Sequence, residues 1–247
     1  MFPKGGLYSK TPSAGVLHRN KGVPPFAPTD ITGMQMWFKA DTGLFTDSAK
    51  TTAATTNGDR VGAWADQSGN GNDLLQTTDA RRPLLTAAGL NGHSFISNST
   101  NNEYMVKAVL NIAQPYTWFI VSRMSTLTTG NYFYTNSKGN LSYESGGGKF
   151  YLSNGATVLG QVATTNWTYH TGVCTTSTST IRNNGVETSG ATPGGTMTLM
   201  SIMASDGGFG ASTASAAHFA EILLYTGALS AANILKVEAY LASRFGL

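Results

Sequence analysis

The first candidates for catalysis are the 13 Asp and Glu residues. A pair of carboxylates can hydrolyse a glycosidic bond, with one acting as the general acid and the other as the nucleophile. Alternate residues of a strand face one side, so a catalytic pair would appear as nearby acids in a strand pattern. Glu221 lies in an apolar strand pattern without an acidic neighbour, and Glu144 and Glu187 are isolated. The sequence predicts no paired-carboxylate catalysis. Glu221 is interpreted as a strand residue that pairs with an arginine or a backbone amide, in preference to a ligand-groove residue.

The sequence also gives no support for catalysis by a Ser or Cys nucleophile or for a zinc site. The single cysteine, Cys174, has only His170 nearby on its strand face, and no Gly-x-Ser-x-Gly elbow or phosphate-binding glycine loop is present. The other histidines, His18, His93 and His218, are scattered without zinc spacing. Cys174 lies in an apolar stretch and is predicted to be a small core residue. We therefore expect a non-enzymatic protein without a cofactor.

One polar segment leaves two interpretations open. Asp66, Ser68, Asn70 and Gly71 match the first half of a calcium loop, but its twelfth position is Thr77, where the loop needs a glutamate. The favoured interpretation is a turn in which Asp66 binds backbone N–H groups while glycines supply positive φ. A bound Ca²⁺ is the alternative.

Aromatic side chains in the central part of the chain suggest a possible sugar site, because sugar rings stack on aromatic faces. They are also ordinary residues of β-sheets, and this second interpretation is favoured. The cluster, interpreted as surface residues, consists of Tyr132, Phe133, Tyr134, Tyr143 and Tyr151.

These residues would be positioned by an all-β architecture. Charged residues make up only 12% of the 247 residues, and many short apolar runs are separated by Gly, Asn and Ser turns. This pattern predicts a β-sandwich. The candidate strands are Met34–Phe38, Val61–Ala65, Ser94–Ser97, Tyr104–Val109, Tyr116–Ser122, Asn131–Thr135, Gly139–Glu144, Lys149–Ser153, Thr157–Val162, Trp167–Cys174, Ser179–Asn183, Val186–Thr188, Thr196–Ala204 and His218–Tyr225.

The chain ends in one predicted helix that should cover an end or edge of the sandwich. Ser230 is a good N-cap, with Leu229 and Ile234 placed to form a hydrophobic staple. Ile234, Val237 and Leu241 form an apolar stripe with Phe245 close to it, and Gly246 can take the left-handed C-terminal conformation.

Residues 1–29 differ from the rest of the chain and are predicted to form an extended arm. They hold five of the eight prolines, four Lys or Arg residues and no acid, so they cannot build a ladder or a helix of their own. We expect the arm to dock on another chain, with folding back on its own domain as the alternative. The predicted docking residues are Phe2, Leu7, Tyr8, Leu17 and Phe26.

Residues 30–247 form the second predicted unit, and nearly all of it resembles the concanavalin A-like (laminin G-like) jelly-roll domain. The likeness is to versions found in bacteriophage structural proteins and bacterial surface proteins. It is carried by these segments in order: Trp37–Gly43, Trp64–Asp73, Arg82-Pro83, Asn91-Gly92, Thr117–Val121, Asn183–Val186, Phe219–Tyr225, Leu229-Ser230 and Tyr240-Leu241. Enzymes of this fold carry a Glu-x-Asp-x-x-Glu strand, which is absent from this sequence.

The resemblance implies a virion accessory protein of a bacteriophage, a capsid decoration or tail-associated protein in a symmetric assembly. Its partners would be other virion proteins, bound through the arm. The alternative is a carbohydrate-binding adhesin that recognises host-surface glycans. The net charge of +3 comes without a Lys/Arg run, so no nucleic-acid partner is expected. No apolar run suggests a signal peptide or a membrane span, so we expect synthesis in the host cytoplasm and display on the virion surface.

Overall fold

The computed structural model describes residues 26–99, 102–127, 130–136, 138–144, 148–154, 156–204 and 217–247. These residues form 19 strands, one α-helix and two 3-10 helices, Pro28–Asp30 and Asp79–Arg81. In chain order the strands are β1 (Met34–Lys39), β2 (Leu44–Phe45), β3 (Ala63–Trp64), β4 (Leu74–Leu75), β5 (Leu84–Leu90), β6 (His93–Ser97), β7 (Met105–Lys107), β8 (Ile112–Ala113), β9 (Tyr116–Met124), β10 (Gly130–Tyr134), β11 (Asn140–Glu144), β12 (Lys149–Ser153), β13 (Thr157–Val162), β14 (Thr168–Cys174), β15 (Thr178–Asn183), β16 (Val186–Ala191), β17 (Thr196–Met197), β18 (Met200–Ile202) and β19 (Ala217–Thr226), and the helix α1 is Ala231–Phe245.

Two antiparallel sheets pack face to face as a β-sandwich. The eight-stranded sheet has the order β16-β15-β14-β9-β19-β6-β5, and β1 pairs with β19 beside β6. The nine-stranded sheet has the order β13-β12-β11-β10-β18-β7-β4-β3-β2, and β8 and β17 form a separate pair. The predicted all-β sandwich with one C-terminal helix is confirmed.

The two longest strands, β9 and β19, explain why the fold needs a helix. Trp118 and Ile120 of β9 point into the core between the sheets, whereas Phe119 and Val121 point to the opposite face. Strand side chains alternate between faces, so a strand that is apolar on both faces must be covered on both. The nine-stranded sheet covers one face and α1 covers the other.

Helix α1 begins and ends as its sequence predicts. The Ser230 hydroxyl accepts a hydrogen bond from the Asn233 backbone N–H at 3.3 Å, and Gly246 takes the left-handed conformation with φ 68°. Ile234, Val237, Leu241 and Phe245 are buried against the eight-stranded sheet. The apolar stripe therefore holds the helix on the sheet.

The strand predictions fail where the chain changes partners. Thr196–Ala204 was expected to be one strand, but it splits into β17, which pairs with β8, and β18, which pairs with β7 and β10. Strands β2, β4, β5 and β8 have no predicted counterpart. Three of these are only two residues long, and β5 contains a register shift and Ala88 at φ 52°, so none shows a clean alternation.

Replacing Leu241 with Asp should destabilise the protein by about 3 kcal/mol or more, because it places an unpaired charge in a fully buried site. Thermal unfolding followed by circular dichroism measures this. Leu235→Asp, on the same helix but 57% exposed, is the matched control and should shift the melting temperature little. Equal shifts for the two variants would contradict the role given to α1.

Candidate functional site

The predicted docking residues are placed by the structure only in part. Phe2, Leu7, Tyr8 and Leu17 lie outside the described residues. Phe26 is half-buried, and its ring meets Tyr240 of α1 edge-on at 6.4 Å between centroids. The segment after it is anchored too, since the Tyr225 hydroxyl donates to the Pro28 carbonyl at 3.0 Å. Residues 26–28 therefore hold the start of the described chain beside α1.

The Asp66 segment is a turn organised by its carboxylate. Asp66 accepts backbone N–H groups of Trp37 at 2.9 Å, Ser68 at 2.9 Å and Asn72 at 3.0 Å, and the Ser68 hydroxyl at 2.8 Å. Gly69 and Gly71 have φ values of 89° and 70°. The favoured interpretation of this segment is confirmed. A cation would compete with these donors for both carboxylate oxygens, and no group of three or more His, Cys, Asp or Glu among the described residues could hold a metal.

Glu221 is a buried anchor for α1. Its Oε1 accepts hydrogen bonds from Trp37 Nε1 at 2.7 Å and the Tyr240 hydroxyl at 3.0 Å, and its Oε2 lies 3.0 Å from Arg244 Nε. Burial raises the pKa of this carboxyl, while the bonds from Trp37 and the charge of Arg244 oppose the rise. The predicted pairing with an arginine is confirmed. The side chain is 0% exposed, so no substrate reaches it.

His170 and Cys174 are core residues. Burial lowers the pKa of His170 to about 3 and raises the pKa of the Cys174 thiol to about 12. A neutral buried imidazole and a buried thiol do not form a nucleophile and base at neutral pH. The prediction for Cys174 is confirmed.

The central aromatic cluster divides between the two faces of the nine-stranded sheet. Tyr132, Phe133 and Tyr143 are buried in the core, so their interpretation as surface residues was wrong. A register shift in β10 between Asn131 and Phe133 turns two consecutive rings inward. Tyr134 and Tyr151 are half-buried on the opposite, outer face, as strand alternation requires.

The outer face of the nine-stranded sheet carries a continuous row of paired residues. Residues paired across antiparallel strands share one face, so the row can be followed from strand to strand. Its members, in order from β2 to β10, are Phe45, Ala63, Leu75, Val106, Ser201 and Tyr134. Ala63 and Ser201 are small and buried, whereas the other four are half-buried. Because Ala63 and Ser201 are 0% exposed, neighbouring atoms cover the row at these two positions.

A groove of about 500 Å³, here called the sheet groove, lies over part of this row. Leu75 and Val106 contribute apolar surface, and Asp73, Gln76, Thr77, Thr78 and Lys107 are its polar lining. Asp73 pairs with Lys50 at 2.5 Å, and Gln76 donates to the Tyr104 carbonyl at 3.2 Å. The Thr77 and Thr78 side chains are exposed. An apolar strip edged by hydroxyl groups suits a polyhydroxylated ligand.

The carboxylates offer no catalytic pair at this groove. Asp73 is the single acid among the described residues of its lining, and it accepts the Asp66 backbone N–H at 2.9 Å. Every carboxylate side chain that the structure describes is hydrogen-bonded to another residue of the chain.

A second groove of about 580 Å³ lies beside α1 and is lined by Phe26, His93, Tyr240 and Arg244, among others. Two of its polar groups are engaged by Asp41, which pairs with His93 Nδ1 at 2.7 Å and with Arg244, and which also accepts the Ser94 backbone N–H at 2.7 Å. Burial raises the pKa of Asp41, but these three partners outweigh burial and hold it below its ordinary value.

Sequence comparisons find no relatives: no protein-family model and no curated protein matches the chain. Among solved structures, a GH54 α-L-arabinofuranosidase soaked with a cyclic sulfate inhibitor is similar, with TM-score 0.57 and 16% identity over 75% of this chain and 51% of that chain. Trypanosoma rangeli sialidase in complex with sialic acid gives TM-score 0.54 and 12% identity over 87% of this chain and 33% of that chain. The botulinum neurotoxin serotype D binding domain gives TM-score 0.53 and 10% identity over 84% and 52%.

Together, the strand order and these likenesses define the fold as a jelly-roll-like β-sandwich. The chain spans about half, or less, of the length of these structures, and at such identities the likeness concerns the fold alone. In the described ranges no helix has the length and apolarity that crossing a membrane requires.

The sheet groove was missed by sequence reasoning. Leu75 and Val106 have no distinctive signal along the chain, and they meet because β4 and β7 become neighbours.

Replacing Asp66 with Ala should destabilise the domain by about 2–4 kcal/mol, because several half-buried backbone N–H groups lose their acceptor. Chemical denaturation measures this. Asp79→Ala, which removes a 70% exposed carboxylate, is the control and should cost about 0.5 kcal/mol or less. We expect EDTA to leave the melting temperature of the unmodified protein unchanged, and a fall on chelation would restore the calcium interpretation.

Proposed function

We propose that this protein is a non-catalytic carbohydrate-binding domain whose ligand lies in the sheet groove. The observation that carries the proposal is the position of this groove. It lies on the outer face of the nine-stranded sheet, whereas α1 packs on the eight-stranded sheet. The groove volume is within the range of small-ligand sites.

The chemistry of the groove supports a sugar over other ligands. Leu75 and Val106 present an apolar strip to the ring carbons of a saccharide, and Thr77 and Thr78 offer hydroxyl groups to its oxygens. Further along the row, Tyr134 supplies an aromatic ring that can stack on the next sugar unit.

The fold comparisons support the same class of ligand without assigning it. Two of the similar structures are, by name, an arabinofuranosidase and a sialidase, and the third is a neurotoxin binding domain. The absence of a free carboxylate pair among the described residues favours binding over hydrolysis.

The second candidate function is attachment to a bacteriophage particle as a virion accessory protein. The observation that supports it is the position of Phe26. Phe26 packs on α1, on the side of the molecule opposite the nine-stranded sheet. An arm of residues 1–25 that docks on a particle would leave the sheet groove facing outward. Many copies on a symmetric particle would then multiply a weak affinity for glycans on the host surface.

A glycan array with the purified full chain tests the first proposal, followed by calorimetry with the best oligosaccharide. Val106→Arg fills the groove and should weaken binding at least tenfold, and Tyr134→Ala should weaken it about tenfold. The control is Val186→Arg, the same substitution at a 52% exposed position of β16 in the other sheet. We expect it to bind normally. An array without reproducible signals, or equal losses for the two arginine variants, would overturn the proposal.

Removal of residues 1–25 tests the second candidate, because this truncation keeps Phe26 and Pro28 in place. The truncated protein should melt within a few degrees of the full chain but fail to co-sediment with particles from cells that express it. A chain with residues 1–25 replaced by a Gly/Ser linker of equal length should fail in the same way. Normal incorporation of either variant argues against attachment through the arm.

A further inference from the structure

Arg123 differs from the other described arginines that lie in strands or on α1. Arg182 pairs with Glu187 and Glu238, and Arg244 pairs with Asp41 and Glu221. Arg123 has no carboxylate within ion-pairing distance among the described residues. Its one hydrogen bond runs from Nε to Nδ1 of His218 at 3.3 Å. The terminal nitrogens of its guanidinium are left without a partner in the described part of the chain.

This guanidinium is held in a fixed place by aromatic rings. Arg123 and His218 are direct cross-strand neighbours on β9 and β19. The guanidinium carbon of Arg123 lies 5.4 Å from the ring centroid of Trp167, just before β14. Phe95 supports the group from β6, stacked on His218 at 5.1 Å and edge-on to Trp167 at 5.1 Å. Phe95 is 6% exposed, so the rings rest on a buried residue.

The polar groups of this cluster that remain available to a ligand are hydrogen-bond donors. Burial, aided by the charge of Arg123, lowers the pKa of His218 to about 4, so the imidazole is neutral near pH 7. Because an arginine only donates, His218 Nδ1 must be the acceptor, and the ring proton is on Nε2. Trp167 adds an indole N–H that has no hydrogen-bond partner in the described residues. Among the described residues, this cluster therefore presents hydrogen-bond donors and one positive charge that has no carboxylate partner.

Donors around a planar guanidinium match a carboxylate, which accepts two parallel hydrogen bonds from arginine. The half-buried indole of Trp167 offers a face to a saturated ring, as aromatic side chains do in sugar binding. We propose that Arg123, Trp167 and His218 form a second binding site that takes a carboxylate-bearing sugar, such as a sialic or uronic acid. The site extends the proposed carbohydrate binding to acidic glycans, and it lies on the opposite sheet from the sheet groove, so the two can be tested separately.

The test follows the Trp side-chain N–H signals of the ¹⁵N-labelled full chain during titration with N-acetylneuraminic acid or glucuronic acid. Trp64 and Trp118 are fully buried and serve as internal references. We expect one signal, assigned to Trp167 by its loss in Trp167→Phe, to shift with the acidic sugars. Neutral N-acetylglucosamine and sodium acetate at the same concentrations should shift it much less. If acetate shifts the Trp167 signal as much as the acidic sugars do, the site does not recognise the sugar ring. If N-acetylglucosamine shifts it as much, the site does not recognise the carboxylate.

Variants separate a specific site from general attraction of anions. Arg123→Gln should weaken binding of the acidic sugar at least tenfold, and Arg123→Lys, which keeps the charge but not the planar fork, should lose most of the affinity. Arg81→Gln removes the same charge from an exposed arginine whose guanidinium donates to the Tyr104 hydroxyl at 3.3 Å, and it should bind normally. Val106→Arg, which blocks the sheet groove, should leave binding of the acidic sugar at Arg123 unchanged. The two variants therefore show separately whether the sheet groove and the Arg123 site bind their ligands. Normal binding by Arg123→Gln, or an equal loss in Arg81→Gln, would reject the proposal.

Discussion

The pairing of β9 with β19 is the interaction on which the rest of the structure depends. The two strands pair from Tyr116 opposite Thr226 to Met124 opposite Ala217, at the centre of the eight-stranded sheet. Both strands have apolar side chains on each face, so the pair is stable only when other elements cover both of its faces. The nine-stranded sheet supplies one cover and α1 the other. The helix is therefore part of the core, although the chain reaches it last.

Buried carboxylates fix where that helix lies. Glu221 reaches Tyr240 and Arg244 from the sheet, and Glu238 of α1 accepts bonds from Thr171 at 2.8 Å and from Arg182 at 2.8 Å. Ion pairs of this kind add little net stability, because burying charge costs about as much as the pairing returns. They do penalise other positions of the helix, in which one charge would be buried alone. Apolar packing provides the attraction, and the carboxylates provide the register.

Local signals in the sequence were sufficient for the fold class and for both ends of α1. Ser230 and Gly246 act through their own backbone and nearest neighbours, so their roles can be inferred from the sequence. The same holds for Asp66, most of whose partners lie within six residues. The failures are non-local. The bulge that turns Tyr132 and Phe133 inward depends on the pairing of β10 with β11, and a two-residue strand such as β4 exists only through its neighbours.

Neither of the two proposed binding surfaces could be predicted from the sequence, because both depend on non-local strand pairing. Val106 meets Ser201, and Arg123 meets His218, across strands that are far apart in the sequence. No motif links such residues, because a sheet surface is assembled by topology and its members need only be compatible with a strand. What the sequence does contain is the abundance of short polar and aromatic residues from which such surfaces are made.

The place of β19 in the chain has a consequence for biosynthesis. Trp37 and Glu221 are 184 residues apart, and β1, β6 and β9 all take β19 as a partner. While the ribosome has made only the first 216 residues, the eight-stranded sheet lacks the strand that joins its two halves. Contacts this distant form slowly, and apolar strands such as β9 stay exposed until they do. A nascent chain of this protein therefore leaves β9 without this partner until β19 has been translated, and a product that stops before β19 should keep apolar strand surface exposed.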